Sequence, residues 1–512
     1  MELNRKNRRA VLATSAVSAV SALALVVSGG LPAYADNGTD TSALREAVSA
    51  GAIIEHLEQL QLIADANGGN RAAGTSGYEA SAVYVEEQLI AAGYEPRRQH
   101  FSYDQFVVTS SALQRVTPTP RTYADLDEYY VMTNSGAGDV TAAVTAVDIN
   151  LAGDRASSSG CEASDFAGFP VGNIALIQRG TCAFGDKVSN ADAAGASAVI
   201  VFNQGDASAG DRFGVLFGTL GDVQLGIPAV GTSFAIGEEL AGLAGLTMRV
   251  SVDARLETID SFNVLAESAG RTDRTVVVGA HMDSVAEGAG INDNGSGIAS
   301  ILETAIQLAE SGDEPTNRVR FAFWGGEEDG LVGSEYYVAQ LSKRDIKDHA
   351  VNLNFDMVAS PNFIRSVYDG DGSAFGSTGP NGSSRVEKVF LDYFASQGLT
   401  TVPSEFDGRS DYFAFINNGI PAGGLFTGAE GLKTEEEATL FGGTAGAPYD
   451  ACYHAACDDI TNINAEVLEQ MADAIAHSTL TFAETTSAVN GTGKGNGKGS
   501  ANMEFKANRN IK

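Results

Sequence analysis

The stretch VVVGAHMDS (residues 276–284), continued by GINDNGSG (290–297) and RFAFWGGEEDGLVGS (320–334), decides how this chain is read. VVVGA is an unbroken apolar run, as a strand buried on both faces requires, and it ends at His281. The glycines of 290–297 mark a tight loop, after which Ile298, Ile301, Ala305 and Leu308 fall on one helical face. Val319, Phe321 and Phe323 alternate as a second strand that stops near Trp324. Strand, loop, helix and strand of these lengths make a unit of a parallel α/β sheet.

Outward from this unit the pattern repeats. Val351, Leu353 and Phe355 alternate as a strand, 385–396 reads as a helix and 420–426 as another strand. Leu468, Met471, Ile475 and Phe482 line a last helix. Toward the N-terminus, 41–67 reads as one helix, and Tyr78, Ala82, Val85, Leu89 and Ala92 line a second that Gly93 stops. The glycine-rich loop between them (68–77) has no lysine following it in P-loop fashion.

From 117 to 253 the texture changes to short apolar runs separated by Gly, Asp and Ser, with one helix-like piece at 187–194 and no histidine. The expected fold is therefore α/β: a mixed, centrally parallel sheet flanked by helices, interrupted by a small strand-rich domain. The expected divisions are 36–116 and 254–488 for the main domain, 117–253 for the insert, and 489–512 for a tail too poor in apolar residues to fold. A length of 512 residues agrees with two or three domains.

The formal net charge of −32 repels phosphate backbones and anionic lipid, which argues against nucleic-acid and membrane-surface roles. Arg5, Lys6, Arg8 and Arg9 precede an uncharged apolar segment (10–27), and Ala33-Tyr34-Ala35 offers small residues at a cleavage site. Residues 1–35 are thus expected to be a signal peptide, with a membrane anchor as the alternative. Arg8-Arg9 leaves the export route open between the general and twin-arginine systems. Four cysteines permit three pairings, of which the local ones, Cys161 with Cys182 and Cys452 with Cys457, are favoured in a secreted chain.

Ligands of open α/β sheets bind beyond the carboxyl ends of the strands. His281, Glu327, Glu328 and Asp356 each follow such an end, and Asp293 sits in the loop after His281. Imidazole and carboxylate are zinc ligands, and two zincs about 3.5–4 Å apart need a bridging carboxylate. The expected arrangement has Asp293 bridging, His281 and Asp356 on one ion, Glu328 and His454 on the other, and Glu327 as general base beside a bridging water. Closing Cys452 to Cys457 would fix Tyr453 and His454, and the Tyr453 hydroxyl could donate to an oxyanion. His56, His100, His349 and His477 are expected to stand apart.

GAHMDS, GINDNGSG, FWGGEEDGLVGS, NFDMV, FDGRSDYFAF and CYHAACD together resemble the secreted zinc aminopeptidases of the aminopeptidase Y and bacterial leucyl aminopeptidase family. The insert is similar to the protease-associated domain of its larger members. The resemblance implies a zinc-exopeptidase fold, two Zn²⁺ per chain on the residues above, a cis Asp293–Asn294 peptide, and Glu327 and Tyr453 in catalysis. It implies a secreted hydrolase acting on peptide or protein N-termini, with a preference for large apolar, leucine-like residues; a monomer is expected, although the sequence does not reveal the oligomeric state. Arg409, in Asp407-Gly-Arg-Ser-Asp411, matches a segment lining the pocket for the free amino group. A Ca²⁺ is allowed by the resemblance without a placed site. The alternative readings are a carboxypeptidase or glutaminyl cyclase on the same scaffold, and a non-catalytic extracellular binding protein.

Overall fold

Four parallel strands, Ala422–Phe426, His349–Phe355, Arg271–His281 and Asn317–Trp324, lie side by side in that order at the centre of the sheet in the computed structural model. Residues 39–206, 212–221, 226–312 and 314–490 are described. The expected signal segment, and all but the first two residues of the expected tail, lie outside them.

The unbroken apolar run at 276–280 has a packing reason. Val276, Val278 and Ala280 enter a core formed with the helices Ala50–Ala66, Ser76–Ala91, Gly297–Glu310, Ser383–Ser396 and Ala465–Glu484. Val277 enters the opposite layer, against Trp324, Tyr337 and Phe415. Each such valine contributes about 1.5–3 kcal/mol by leaving water, and both faces of the strand collect that term. Gly279 is required by the crowding: a Cβ there would come 2.5 Å from the indole nitrogen of Trp324.

The expected helix over 41–67 is two helices, Ser42–Ala47 and Ala50–Ala66. Val48 is extended, and the Ser49 hydroxyl accepts from the Ala52 N–H at 3.3 Å, so a cap residue outweighs the continuous apolar periodicity.

Between the halves of the main domain run two 21-residue strands, Arg97–Thr117 and Thr247–Glu267, paired antiparallel along their length. The second also pairs with Asn317–Trp324, which joins the insert's sheet to the central one. Position 117 ends the first of these strands and 253 falls inside the second. Within the insert Gly138–Val147, Ile174–Gln178, Ala198–Phe202 and Ala229–Thr232 are parallel neighbours. The expected helical piece is Phe184–Ala193, and a second helix, Phe234–Gly242, accompanies it. A Cβ at Gly237 would lie 2.0 Å from the Phe202 ring, so that glycine, a poor helix former, is what lets this helix reach the sheet. Among the described residues no helix is long and apolar enough to cross a membrane.

Candidate metal centre

Three strand ends and two loops bring the expected residues together. His281 closes its strand and offers Nδ1–H to the Asp283 carbonyl at 3.1 Å, which turns Nε2 inward. Asp293 lies in the turn Ile291–Ser296, with a cis peptide to Asn294, and its N–H is held by Asp458 at 3.0 Å. Asp356 follows Phe355, and its outer oxygen accepts from the Ser410 hydroxyl at 2.6 Å. His454 has φ 53 in the loop closed by the Cys452–Cys457 disulfide; Cys161–Cys182 is the other bridge.

The distances sort the residues into two sets. His281 Nε2 lies 3.2 Å from Asp293 Oδ1 and 3.3 Å from Asp356 Oδ1. His454 Nε2 lies 3.3 Å from Asp293 Oδ2 and 3.1 Å from Glu328 Oε2. Two ligand atoms about 2.0–2.2 Å from a tetrahedral zinc stand about 3.3–3.6 Å apart; the four spacings lie at or just below the lower edge of that range, so small outward shifts would accommodate zinc. Glu327 Oε2 is farther from His281, at 3.9 Å. The Glu327 and Glu328 N–H groups each donate to one oxygen of Asp283 at 3.2 Å, which aims the two neighbouring side chains from one support.

The electrostatics ask for cations. Burial alone would lower the His281 imidazole, but Asp356, Glu327 and Asp293 lift it well above the usual histidine range. Burial opposes His454 too, yet hydrogen bonds to Asp293 and Glu328 push it up to about 10. Burial pushes the Asp283 carboxyl up to about 6, and those of Asp411 and Asp458 up to about 7. So many buried acids are tolerable only with protons or metal ions among them. Protons on the two imidazoles, or cations bound between these residues, would supply that positive charge.

Tyr453 stacks on His454 with ring centroids 3.8 Å apart, and Arg409 Nη2 donates to its hydroxyl at 3.1 Å. Arg409 also pairs with Glu430 at 2.9 Å. A cleft beside these residues is lined by Leu331, Met357, Tyr368 and Phe426, with Asp407 and Arg409 at its side. The other histidines lie elsewhere: His56 on Glu303 and Tyr84, His100 against Phe262, His349 on Tyr337, and His477 on Thr41.

Several supporting residues escaped the sequence reading. Arg71, in the glycine-rich loop, is fully buried and donates to the carbonyls of Met282, Ala289 and Gly290, fixing both ends of the 282–290 segment that leads to Asp293. Asp283 and Asp458 lie inside quoted motifs, but nothing in their spacing distinguished them from surface acids.

Residues 263–479 match peptidase family M28, and 140–240 match the PA domain. An aminopeptidase of Pseudomonas aeruginosa is 47% identical over 449 residues, covering 87% of this chain and 83% of the relative. The chain belongs to peptidase family M28. A probable leucine aminopeptidase 2 of Aspergillus oryzae is 42% identical, covering 82% of this chain and 81% of its own. Among solved M28-like structures, an aminopeptidase from Aneurinibacillus sp. strain AM-1 aligns with TM-score 0.68 at 27% identity, over 86% of this chain and 95% of its own. BSAP, a zinc aminopeptidase from Bacillus subtilis, aligns with TM-score 0.61 at 25% identity, over 84% and 94%. The α/β architecture and the insert expected from sequence thus agree with the family.

Proposed function

We propose that this M28 chain is a secreted, monomeric aminopeptidase that holds two zinc ions and removes large apolar, leucine-like residues from peptide and protein N-termini. One observation carries the reading: the two oxygens of Asp293 face two different imidazoles, at 3.2 and 3.3 Å. His281 and Asp356 would hold one ion, Glu328 and His454 the other, with Asp293 shared. When bound, the zinc pair supplies Lewis-acid activation of water and of the scissile carbonyl.

The chain's own groups supply the rest. Glu327 takes a proton from the attacking water and delivers it to the amine nitrogen as the C–N bond breaks. The Tyr453 hydroxyl donates to the oxygen that gains charge on the carbonyl carbon. Leu331, Met357, Tyr368 and Phe426 give an apolar wall for the side chain of the first residue. The acids around the centre favour a free ammonium, and the 407–411 segment, Arg409 included, is assigned to the lining of the pocket that receives it. A carboxypeptidase would instead need an available cation, whereas Arg409 is already paired with Glu430.

Residues 36–116 and 254–488 are assigned to one peptidase domain, 117–253 to the insert, and 1–35 to a signal peptide, in keeping with the two disulfides. Calcium is given no site: the acidic group Asp369, Asp371 and Glu387 already uses both Asp369 oxygens on the N–H groups of Ser373, Ala374 and Phe375. The test is hydrolysis of leucyl p-nitroanilide against its N-acetyl form, with metal analysis. Chelator-sensitive cleavage of the free substrate alone, with two zincs per chain, is the expected result. Cleavage of the blocked substrate but not the free one overturns the proposal.

A further inference from the structure

The turn that follows Trp324 carries both Glu327 and Glu328, and it is held from two directions. From beneath, Asp283 accepts both N–H groups and the Asn263 side chain accepts from Gly325 N at 3.1 Å. From the side it is held by the strand Arg97–Thr117, one arm of the hairpin that carries the insert. Tyr103 Oη donates to one oxygen of Asp329 and Gln105 Nε2 to the other, each at 2.5 Å. Two positions before Tyr103, Phe101 is buried against Tyr336 in the helix Val332–Ala339, with ring centroids 5.3 Å apart. Alternate residues of one strand face therefore grip the segment from 326 to 339. A Cβ at Gly326 would stand 3.3 Å from the Tyr103 hydroxyl, so the ring is seated directly on the turn.

Three consecutive acids on one turn repel one another, and an unheld Asp329 would swing the turn toward solvent. A lysine or arginine partner would hold it but would also compete for Glu327 and Glu328. Neutral donors fix Asp329 without bringing a cation to the centre.

We propose that Tyr103 and Gln105 are positioning residues for the reaction: through Asp329 they hold Glu327 and Glu328 in register, so the seating of the insert-bearing hairpin is coupled to turnover. The inference rests on the roles proposed above for Glu327 and Glu328. A displacement of about 1 Å in a catalytic group can cost on the order of 100-fold in rate, so a tether of this kind is felt in kcat.

The test compares wild type, Tyr103→Phe, Gln105→Ala and their double variant, each also in an Asp329→Ala background. Kinetics on leucyl p-nitroanilide are read beside deuterium uptake of the peptide spanning 325–332 in metal-free protein. Expected are a fall in kcat of about tenfold or more for the double variant with KM within about twofold, faster uptake, and no further loss when Asp329 is absent. Ser102→Ala, which breaks a bond to Asp260 on the opposite face of the same strand, should change neither readout. Unchanged kcat and uptake, or an equal loss in the Asp329→Ala background, overturns the inference. A wild type inert toward every free aminoacyl anilide overturns the aminopeptidase reading instead, and the uptake arm still decides whether the hairpin holds the turn.

Discussion

Loading the metal-free protein with zinc should expel protons, and the structure sets how many. An imidazole must be neutral at the nitrogen that ligates, so any proton on His281 Nε2 or His454 Nε2 has to leave. His454 is pushed up to about 10 by its bonds to Asp293 and Glu328. At pH 8 it is then largely protonated, and the acids around His281 lift that imidazole in the same direction. Asp293, proposed to be shared by the two ions, contributes nothing, because its two histidine partners outweigh burial and hold its carboxyl far down, already ionised. Asp411 and Asp458, near 7, add only about a tenth of a proton each at pH 8. At least about one proton per chain, from His454, should therefore appear when zinc binds, and more as His281 contributes. Zinc affinity therefore rises with pH, by about tenfold per unit for each imidazole that is still protonated, and flattens above their titration. Zinc titration calorimetry in buffers of different ionisation enthalpy reads the proton count as a slope. A slope near zero at pH 8 would show that the imidazoles are already neutral in the metal-free centre, and the charge argument would fail.

Glu327→Gln should retain zinc at the wild-type stoichiometry while kcat falls by about 10²–10⁴-fold; undiminished turnover removes Glu327 from the proton path. Arg71→Met orphans the carbonyls of Met282, Ala289 and Gly290. At about 1–3 kcal/mol for each buried acceptor it should lower unfolding free energy in urea by at least about 3 kcal/mol, and a loss under 1 kcal/mol would mean that these carbonyls find other partners. Replacing Cys452 and Cys457 together by serine releases the loop of Tyr453 and His454. It should weaken the ion assigned to Glu328 and His454 by about 2 kcal/mol, on the order of 30-fold, while the other proposed ion stays; equal weakening of both would contradict the two-set arrangement.

The main-domain strands and most helices were legible because burial imposes a period. Valines on both faces of the strand Arg271–His281, and the single apolar stripe of Ala465–Glu484, can be read without coordinates. The candidate ligands were legible for a related reason: a parallel sheet places whatever follows each strand on one edge, so His281, Glu328 and Asp356 could be grouped before their distances were known. The break at Val48–Ser49 was not, since a single capping hydroxyl leaves the apolar period of 41–67 intact.

What holds those candidate ligands was decided by tertiary structure alone. Arg71 meets Gly290 across 219 positions and Asp458 meets Asp293 across 165. Tyr103 meets Asp329 across 226, in a strand whose outward residues follow no pattern that names a partner. Hydrogen bonds between distant side chains and backbone carry no periodicity, because each depends on where two separate elements end in space. Sequence alone therefore determined which groups could carry the chemistry and on which edge of the sheet they stand. The packing of loops and hairpin around that edge decided how far apart they are held, and so whether one carboxylate can face two imidazoles.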